Sequence, residues 1–190
     1  MSTRPVQIHT PLGEEVLSLH AGDHVELSGV VYTARDEAYL RMREQGIPFD
    51  PKGAVIYHCG PVIKDNKVIA AGPTTSARMN ELSGFLIDKG MRALIGKGGM
   101  GETVREQLRG RGVYCAFPGG CAALASSHMT LKGVFYEDLG MAEAIWVIEL
   151  DRLPLVVGID AHGNDIFEAA RNHAAAAFRS YDSRPCTGRQ

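Results

Sequence analysis

Apolar residues in this chain come in short runs separated by polar and glycine-containing stretches, and most runs have the length of a strand rather than a helix. Strand-like runs recur at Gln7–His9, His24–Thr33, Ala54–Cys59, Val68–Ala71, Ala93–Gly96, Val113–Phe117, Val134–Tyr136, Ala144–Leu150 and Leu155–Ile159. Val62–Lys64 and Lys67–Ile69 flank Asp65-Asn66, a pair suited to a hairpin turn. Helical patterns cover Asp36–Gln45, Ser76–Lys89, Glu102–Arg109 and the alanine-rich Asp165–Arg179. In the second of these, Met79, Leu82 and Phe85/Leu86 form one apolar stripe and Gly90 supplies the stop. Hairpin-like strands crowd the early half, and strand alternates with helix through the middle. That mixture predicts an α/β domain with a mixed sheet and helices packed on it, rather than a clean doubly wound sheet.

Composition narrows the picture without redirecting it. The 190 residues suit one domain over 1–180. A chain of this size buries roughly 70% of the surface it would expose unfolded. Tyr181–Gln190 carries no apolar pattern and is expected to be a flexible tail. The 20 basic and 22 acidic residues are interspersed, leaving a net charge of −2 and no basic stripe of the kind nucleic acid requires. Met1–Gly13 has neither a secretory pattern nor a membrane-length apolar run, so a soluble cytoplasmic protein is expected. Cys59, Cys115, Cys121 and Cys186 contain no C-x-x-C pair and no disulfide-scaffold spacing. Cys59 and Cys115 lie in apolar runs and are expected to be buried, Cys186 to be exposed. The chain by itself is not expected to hold a metal or cluster.

Candidate chemistry gathers where strands end. The run Val68–Ala71 gives way to Gly72-Pro73-Thr74-Thr75-Ser76-Ala77-Arg78-Met79. Its hydroxyls could cap a new helix whose free N–H groups favour an anion. Arg78 would add a planar fork matched to a carboxylate or phosphate. Arg35 follows the run Val30–Ala34, and Lys97 follows Ala93–Ile95 inside Gly96-Lys97-Gly98-Gly99. Three cations at equivalent strand ends, one beside a hydroxyl cluster, point to a small substrate with two acidic groups. Asp160–Asp165 also looks chemical, but Asp, Asn and Gly form turns, and a turn is the preferred reading.

Gly96-Lys97-Gly98-Gly99-Met100-Gly101 matches G-x-G-x-x-G between a strand and a helix, so a nucleotide-binding oxidoreductase domain built on Gly96, Gly98 and Gly101 is one reading. The rest of that fingerprint is missing, since the next strand ends at Phe117-Pro118-Gly119-Gly120 with no acidic residue for a ribose. Ser or Thr does not follow Lys97, so the phosphate-loop pattern fails as well. A backbone nest presenting Lys97 to a carboxylate fits better, and a plain tight turn stays open.

Ala71–Met79, Ala34-Arg35-Asp36-Glu37-Ala38 and Gly96–Met100 resemble the iron–sulfur hydro-lyases of the class I fumarase and L-tartrate dehydratase type. The likeness is to their β subunit, which is the C-terminal domain of single-chain members. Tyr57-His58-Cys59-Gly60-Pro61, Gly119–Ala123, Glu143–Trp146 and Gly163-Asn164-Asp165 add to it. The resemblance implies a swivelling three-layer β/β/α domain. It implies a [4Fe–4S] cluster held by a partner α subunit, with one iron open to substrate as a Lewis acid, and reversible hydration of fumarate to malate. Dehydration of L-tartrate is the near alternative. Arg35, Arg78 and Lys97 match the family's carboxylate binders. Thr74 matches the threonine that exchanges the C3 proton, with Thr75 beside it. The implied assembly is a hetero-oligomer with the α subunit, and a homodimer is open to the isolated chain. Tyr39 departs from the family pattern, which has His there in single-chain fumarases, and Gly98-Gly99-Met100 departs from a more polar loop.

Overall fold

A computed structural model of the chain describes residues 4–182. In chain order the elements are β1 (Val6–His9), β2 (His24–Thr33), α1 (Asp36–Gln45), β3 (Val55–Tyr57), β4 (Val62–Lys64) and β5 (Lys67–Ala70). They continue with α2 (Gly84–Asp88), β6 (Ala93–Gly96), α3 (Glu102–Leu108), β7 (Val113–Ala116), α4 (Ala122–Ala125), β8 (Met129–Phe135), β9 (Ile145–Ile159) and α5 (Ile166–Asp182). Seven strands form one mixed sheet in the order β1-β2-β3-β6-β7-β9-β8, and β2 pairs again with β9. That extra pairing closes β2, β3, β6, β7 and β9 into a ring.

Alternation along the parallel strands sorts the core into two layers. Val55 and Tyr57, Ala93 and Ile95, and Val113 and Cys115 face inward against Leu27, Val31, Leu153 and Val157 of the antiparallel half. Ile56, Leu94 and Tyr114 face the other way, under Tyr39 and Met42 of α1, Leu86 of α2 and Val104 and Leu108 of α3. Strands apolar on both faces are what a sheet buried between two layers demands. The result is the expected α/β fold with a mixed sheet, layered sheet on sheet on helix.

The β4–β5 hairpin turns at Asp65-Asn66, where φ is +50° and +57°. Both central residues of a primed turn need that left-handed backbone.

Three expectations from periodicity change. Ser76–Lys89 is not one helix: Ser76–Met79 is a single 3-10 turn, and α2 begins only at Gly84. Backbone pairing of Ser76 with the Lys97 loop holds the start of this segment, so tertiary contacts set its path and the apolar stripe reaches the core without a continuous helix. The runs Ala144–Leu150 and Leu155–Ile159 are one strand, β9, carried through Arg152 and Pro154. Its partner β2 runs alongside from His24 opposite Val156 to Tyr32 opposite Val147, which holds the strand through the irregularity. Of the short run Val134–Tyr136, Val134 and Phe135 end a longer strand beginning at Met129, and Tyr136 leaves it at φ +53°. The last helix extends to Asp182, and the rest of the expected tail, with Cys186, lies outside the described residues.

Candidate active site

Strands β2, β3, β6 and β7 are parallel and end together. Thr33 pairs with Tyr57, Tyr57 with Ile95, and Ile95 with Cys115. Arg35, His58, Lys97 and the Phe117–Gly120 loop therefore leave the sheet at one edge, the carboxyl ends of the strands, where α/β sheets place ligands.

Backbone pairing lays the Gly72–Arg78 segment across that edge. Thr74 N donates to His58 O at 2.7 Å, Lys97 N to Thr74 O at 3.2 Å, and Ser76 N to Lys97 O at 3.1 Å. Thr75 and Lys97 form an isolated parallel bridge. Thr74 is half-buried and Thr75 exposed, and Thr75 begins the following turn without capping it through its side chain. The expected hydroxyl cap is thus absent. Both threonine hydroxyls lack a hydrogen-bond partner among the described residues and are open to a ligand.

All three predicted cations reach this edge. Arg35 pairs with Glu143 at 3.2 Å and lies over Gly60, where an added Cβ would stand 2.8 Å from Nη1. Its Nε is buried without a partner, so a donor remains unused beneath the ion pair. Arg78 pairs with Asp36, and both side chains are partly exposed. Lys97 has neither ion pair nor hydrogen bond from its ammonium among the described residues. Its stem passes Gly119, whose added Cβ would stand 3.6 Å from Lys97 Cδ. At rest, two of the three cations are matched by one carboxylate each.

Those two carboxylates are functional candidates that the sequence reading passed over. Asp36 directly follows Arg35, and that adjacency was a usable signal. Glu143 is remote in sequence and also accepts from Glu37 N at 3.1 Å. It thereby serves the first turn of α1 in place of a local cap, where a negative charge is favoured.

Behind the loops runs a line of buried polar groups. Tyr39 Oη meets His58 Nε2 at 2.9 Å, His58 Nδ1 meets Ser76 Oγ at 2.8 Å, and Tyr114 Oη lies 3.2 Å from Ser76 Oγ and 2.7 Å from Gly98 O. Burial pushes the His58 pKa down to about 3, against an opposing pull from Asp36, so the ring is neutral at physiological pH. Burial likewise pushes the Tyr39 and Tyr114 hydroxyls well above their usual range. Tyr39, the departure from the family pattern, is thus a fully buried partner of His58.

The glycine-rich loop is not free to cradle a dinucleotide. Gly101 N already donates to Asn80 Oδ1 at 2.9 Å, and a Cβ on Gly99 would stand 3.2 Å from the Phe167 ring. Gly98, at φ +70°, turns the chain so that its carbonyl meets Tyr114. Among the described residues, the three cysteines are not gathered as ligands for an iron–sulfur cluster. Cys59 and Cys115 are buried in the inner core, where burial pushes both thiols up to about 12, and Cys121 is half-exposed at the start of α4. No group of three His, Cys, Asp or Glu able to hold a metal ion occurs among the described residues. No helix among them is long and apolar enough to cross a membrane.

The Asp160–Asp165 segment is a turn, as its residue types suggest. Asp160 is buried and accepts from Ala21 N, His162 N, Asn164 N and Asn164 Nδ2 at 2.8–3.0 Å.

The family described as Fumarase C-terminus matches residues 1–170. A protein of Methanocaldococcus jannaschii, provisionally named L(+)-tartrate dehydratase subunit beta, is 43% identical over 82% of this chain and 87% of its own length. The L(+)-tartrate dehydratase subunit beta of Escherichia coli is 35% identical over 83% of this chain and 84% of its own. A protein of Geobacillus stearothermophilus provisionally named fumarate hydratase class I is 38% identical over 87% of this chain but only 34% of its own length. The chain belongs to the Fumarase C-terminus family, which includes separate β subunits as well as a domain within longer hydratases.

Proposed function

We propose that this chain is the β subunit of a hydro-lyase and supplies the half of its active site that binds a C4 dicarboxylate, with fumarate and malate as the substrate pair. The observation that carries the reading is the meeting of Arg35, Arg78 and Lys97 with two unbonded threonine hydroxyls at one strand edge. A dicarboxylate would turn the arginine forks from Glu143 and Asp36 toward itself and give Lys97 a partner. Each charge-assisted hydrogen bond so made is worth roughly 1.5–3 kcal/mol. Thr74 is assigned the exchange of the C3 proton, with Thr75 beside it. A threonine hydroxyl is a weak base unless activated, and no basic side chain of the described residues bonds to it, so its activator is assigned to the partner. The [4Fe–4S] cluster is likewise assigned to an α subunit facing this edge, a reading supported by the burial of Cys59 and Cys115 and by the lack of a gathered ligand set among the described residues.

L-tartrate is the second reading. The two named relatives that this chain matches over most of their length both carry the tartrate dehydratase name. An anaerobic assay of the chain joined to its cluster-bearing partner, with malate, fumarate and tartrate side by side, tests both. Activity of the pair on one of these acids, lost in air, with none from the chain alone, is the expected result. Air-stable activity of the 190-residue chain alone would overturn the division of labour.

A further inference from the structure

His58 has no part in the binding described above, yet it sits where the two site loops meet the core. Its backbone joins the sheet to the first loop: His58 N donates to Ile95 O at 2.8 Å, and His58 O accepts from Thr74 N. Its ring lies between Tyr39 of α1 and Ser76, and Ser76 fills the space above Gly96, where an added Cβ would stand 1.7 Å from Ser76 Oγ.

Counting protons fixes the direction of this line. Tyr114 has one hydroxyl proton, and the Gly98 carbonyl can only accept it, at 2.7 Å. The 3.2 Å contact between the Ser76 and Tyr114 hydroxyls must then use the Ser76 proton. Ser76 Oγ is left as acceptor toward His58, so Nδ1 carries the ring proton. At the other end, Tyr39 Oη is fully buried and His58 Nε2 is its only partner among the described residues. If Nε2 carried the proton, the Tyr39 proton would be buried with no acceptor, which costs about 1–3 kcal/mol. Both ends select the same tautomer, and every hydroxyl in the line then donates once.

We propose that His58, as its Nδ1–H tautomer, is a positioning residue that locks the Thr74–Arg78 segment and the Lys97 loop in one register from inside the core. Through Ser76 it holds the strip that carries Thr74, Thr75 and Arg78. Through Ser76 and Tyr114 it reaches the carbonyl of Gly98, next to Lys97. The effect on turnover rests on the hydro-lyase reading, whereas the locking is a property of the folded chain. Asp36 acts on the ring from α1, the helix that also carries Tyr39.

The test sets chemistry against shape. His58→Leu keeps roughly the volume and removes both ring nitrogens, whereas His58→Asn is smaller but keeps a donor at the Nδ1 position. In the full-length chain, hydrogen exchange at the Ser76 and Lys97 amides, referenced to Leu94, should quicken at least tenfold in His58→Leu and less than threefold in His58→Asn. Nitrogen-15 shifts of the ring should show protonated Nδ1 and bare Nε2 in the wild type, and Tyr39→Phe should disturb Nε2 while leaving the fold intact. In the active complex, kcat/KM should fall about a hundredfold for His58→Leu and under tenfold for His58→Asn, with kcat falling as well as KM rising. A space-filling role predicts the opposite order of the two variants and would overturn the proposal, as would an Nε2–H tautomer. If His58→Leu does not fold, the wild-type tautomer decides. A wild-type complex inactive on all three acids would defeat the hydro-lyase reading and leave the exchange and tautomer results to judge the lock.

Discussion

At Asp160 both carboxylate oxygens are fully engaged: Oδ1 takes the His162 and Asn164 amides, and Oδ2 takes Ala21 N and the Asn164 side chain. At the Thr74–Arg78 edge the balance is reversed. Two hydroxyls and an ammonium have no partner among the described residues. Both regions are dense in polar residues, and both carry pieces of the family resemblance. The difference lies in what remains unbonded once the chain has folded. A structural turn satisfies its polar groups internally, because a buried unpaired group costs about 1–3 kcal/mol. A binding edge holds donors in reserve, tolerable where solvent or a ligand can reach them.

The sharpest way to break this contrast is to remove an arginine fork from the binding edge. Arg78→Ala in the active complex should lower kcat/KM by two to three orders of magnitude with the fold unchanged by circular dichroism. Loss of a charged partner to a substrate carboxylate typically costs about 2–5 kcal/mol. Arg35→Ala should act similarly, and near-wild-type turnover in both would dispose of the carboxylate clamp. Arg78→Lys keeps the charge and loses the planar fork, so it should recover only part of the loss.

The contrast also shows what could be read in advance. The cations and threonines were legible because each stands just after an apolar run, and strand ends are sequence-local features. Parallel strand ends in register then carry them to one edge, which single-sequence patterning does not dictate but α/β topology favours. The path of Ser76–Lys89 was not legible. Its stripe of Met79, Leu82 and Leu86 reads as helix, yet the hydroxyl of Ser76 bonds to His58 and its backbone to Lys97, two partners remote in sequence. The continuity of β9 was hidden for a related reason, since Pro154 is a local stop that a ten-residue partner strand overrides. Glu143 was invisible as an arginine partner because nothing near it in sequence announces that α1 lacks its own cap.

A milder cut is Lys97→Ala. Lys97 offers a mobile point charge rather than a fork, so its removal should cost about 1.5–3 kcal/mol, a loss of roughly ten- to a hundredfold that falls mostly on KM. A normal KM in this variant would mean that the unpaired ammonium is merely solvated.

At the Asp160 turn the same kind of change should act on stability instead. Asp160→Asn replaces one acceptor by a donor that faces Ala21 N or Asn164, and should cost about 1–3 kcal/mol of unfolding free energy with turnover per folded molecule unchanged. The acid limb of the stability curve sharpens the assignment. Burial would raise the Asp160 pKa, but hydrogen bonds from Asn164, Ala21 and His162 outweigh it and hold the carboxyl below its usual 3.8. A lowered folded pKa contributes stability that is complete above the unfolded value and is lost as pH falls through the folded one. Denaturant titrations between about pH 5 and 2 should therefore show part of the wild-type decline missing in Asp160→Asn. A catalytic Asp160 would instead show unchanged stability and lost turnover.

The smallest expected effect comes from a second unpaired cation. Arg171, on the exposed face of α5, resembles Lys97 in having no partner among the described residues. It differs in place: α5 follows β9, an antiparallel strand, and Arg171 lies nearly two turns into the helix rather than at the strand edge. An exposed cation away from a binding edge is solvated at no cost, and its removal is worth within about 0.5 kcal/mol. Arg171→Ala should leave both KM and the unfolding midpoint within error of wild type. If it raised KM as much as Lys97→Ala does, lack of a partner rather than position would be setting the affinity, and the distinction between a binding edge and an ordinary solvated charge would fail.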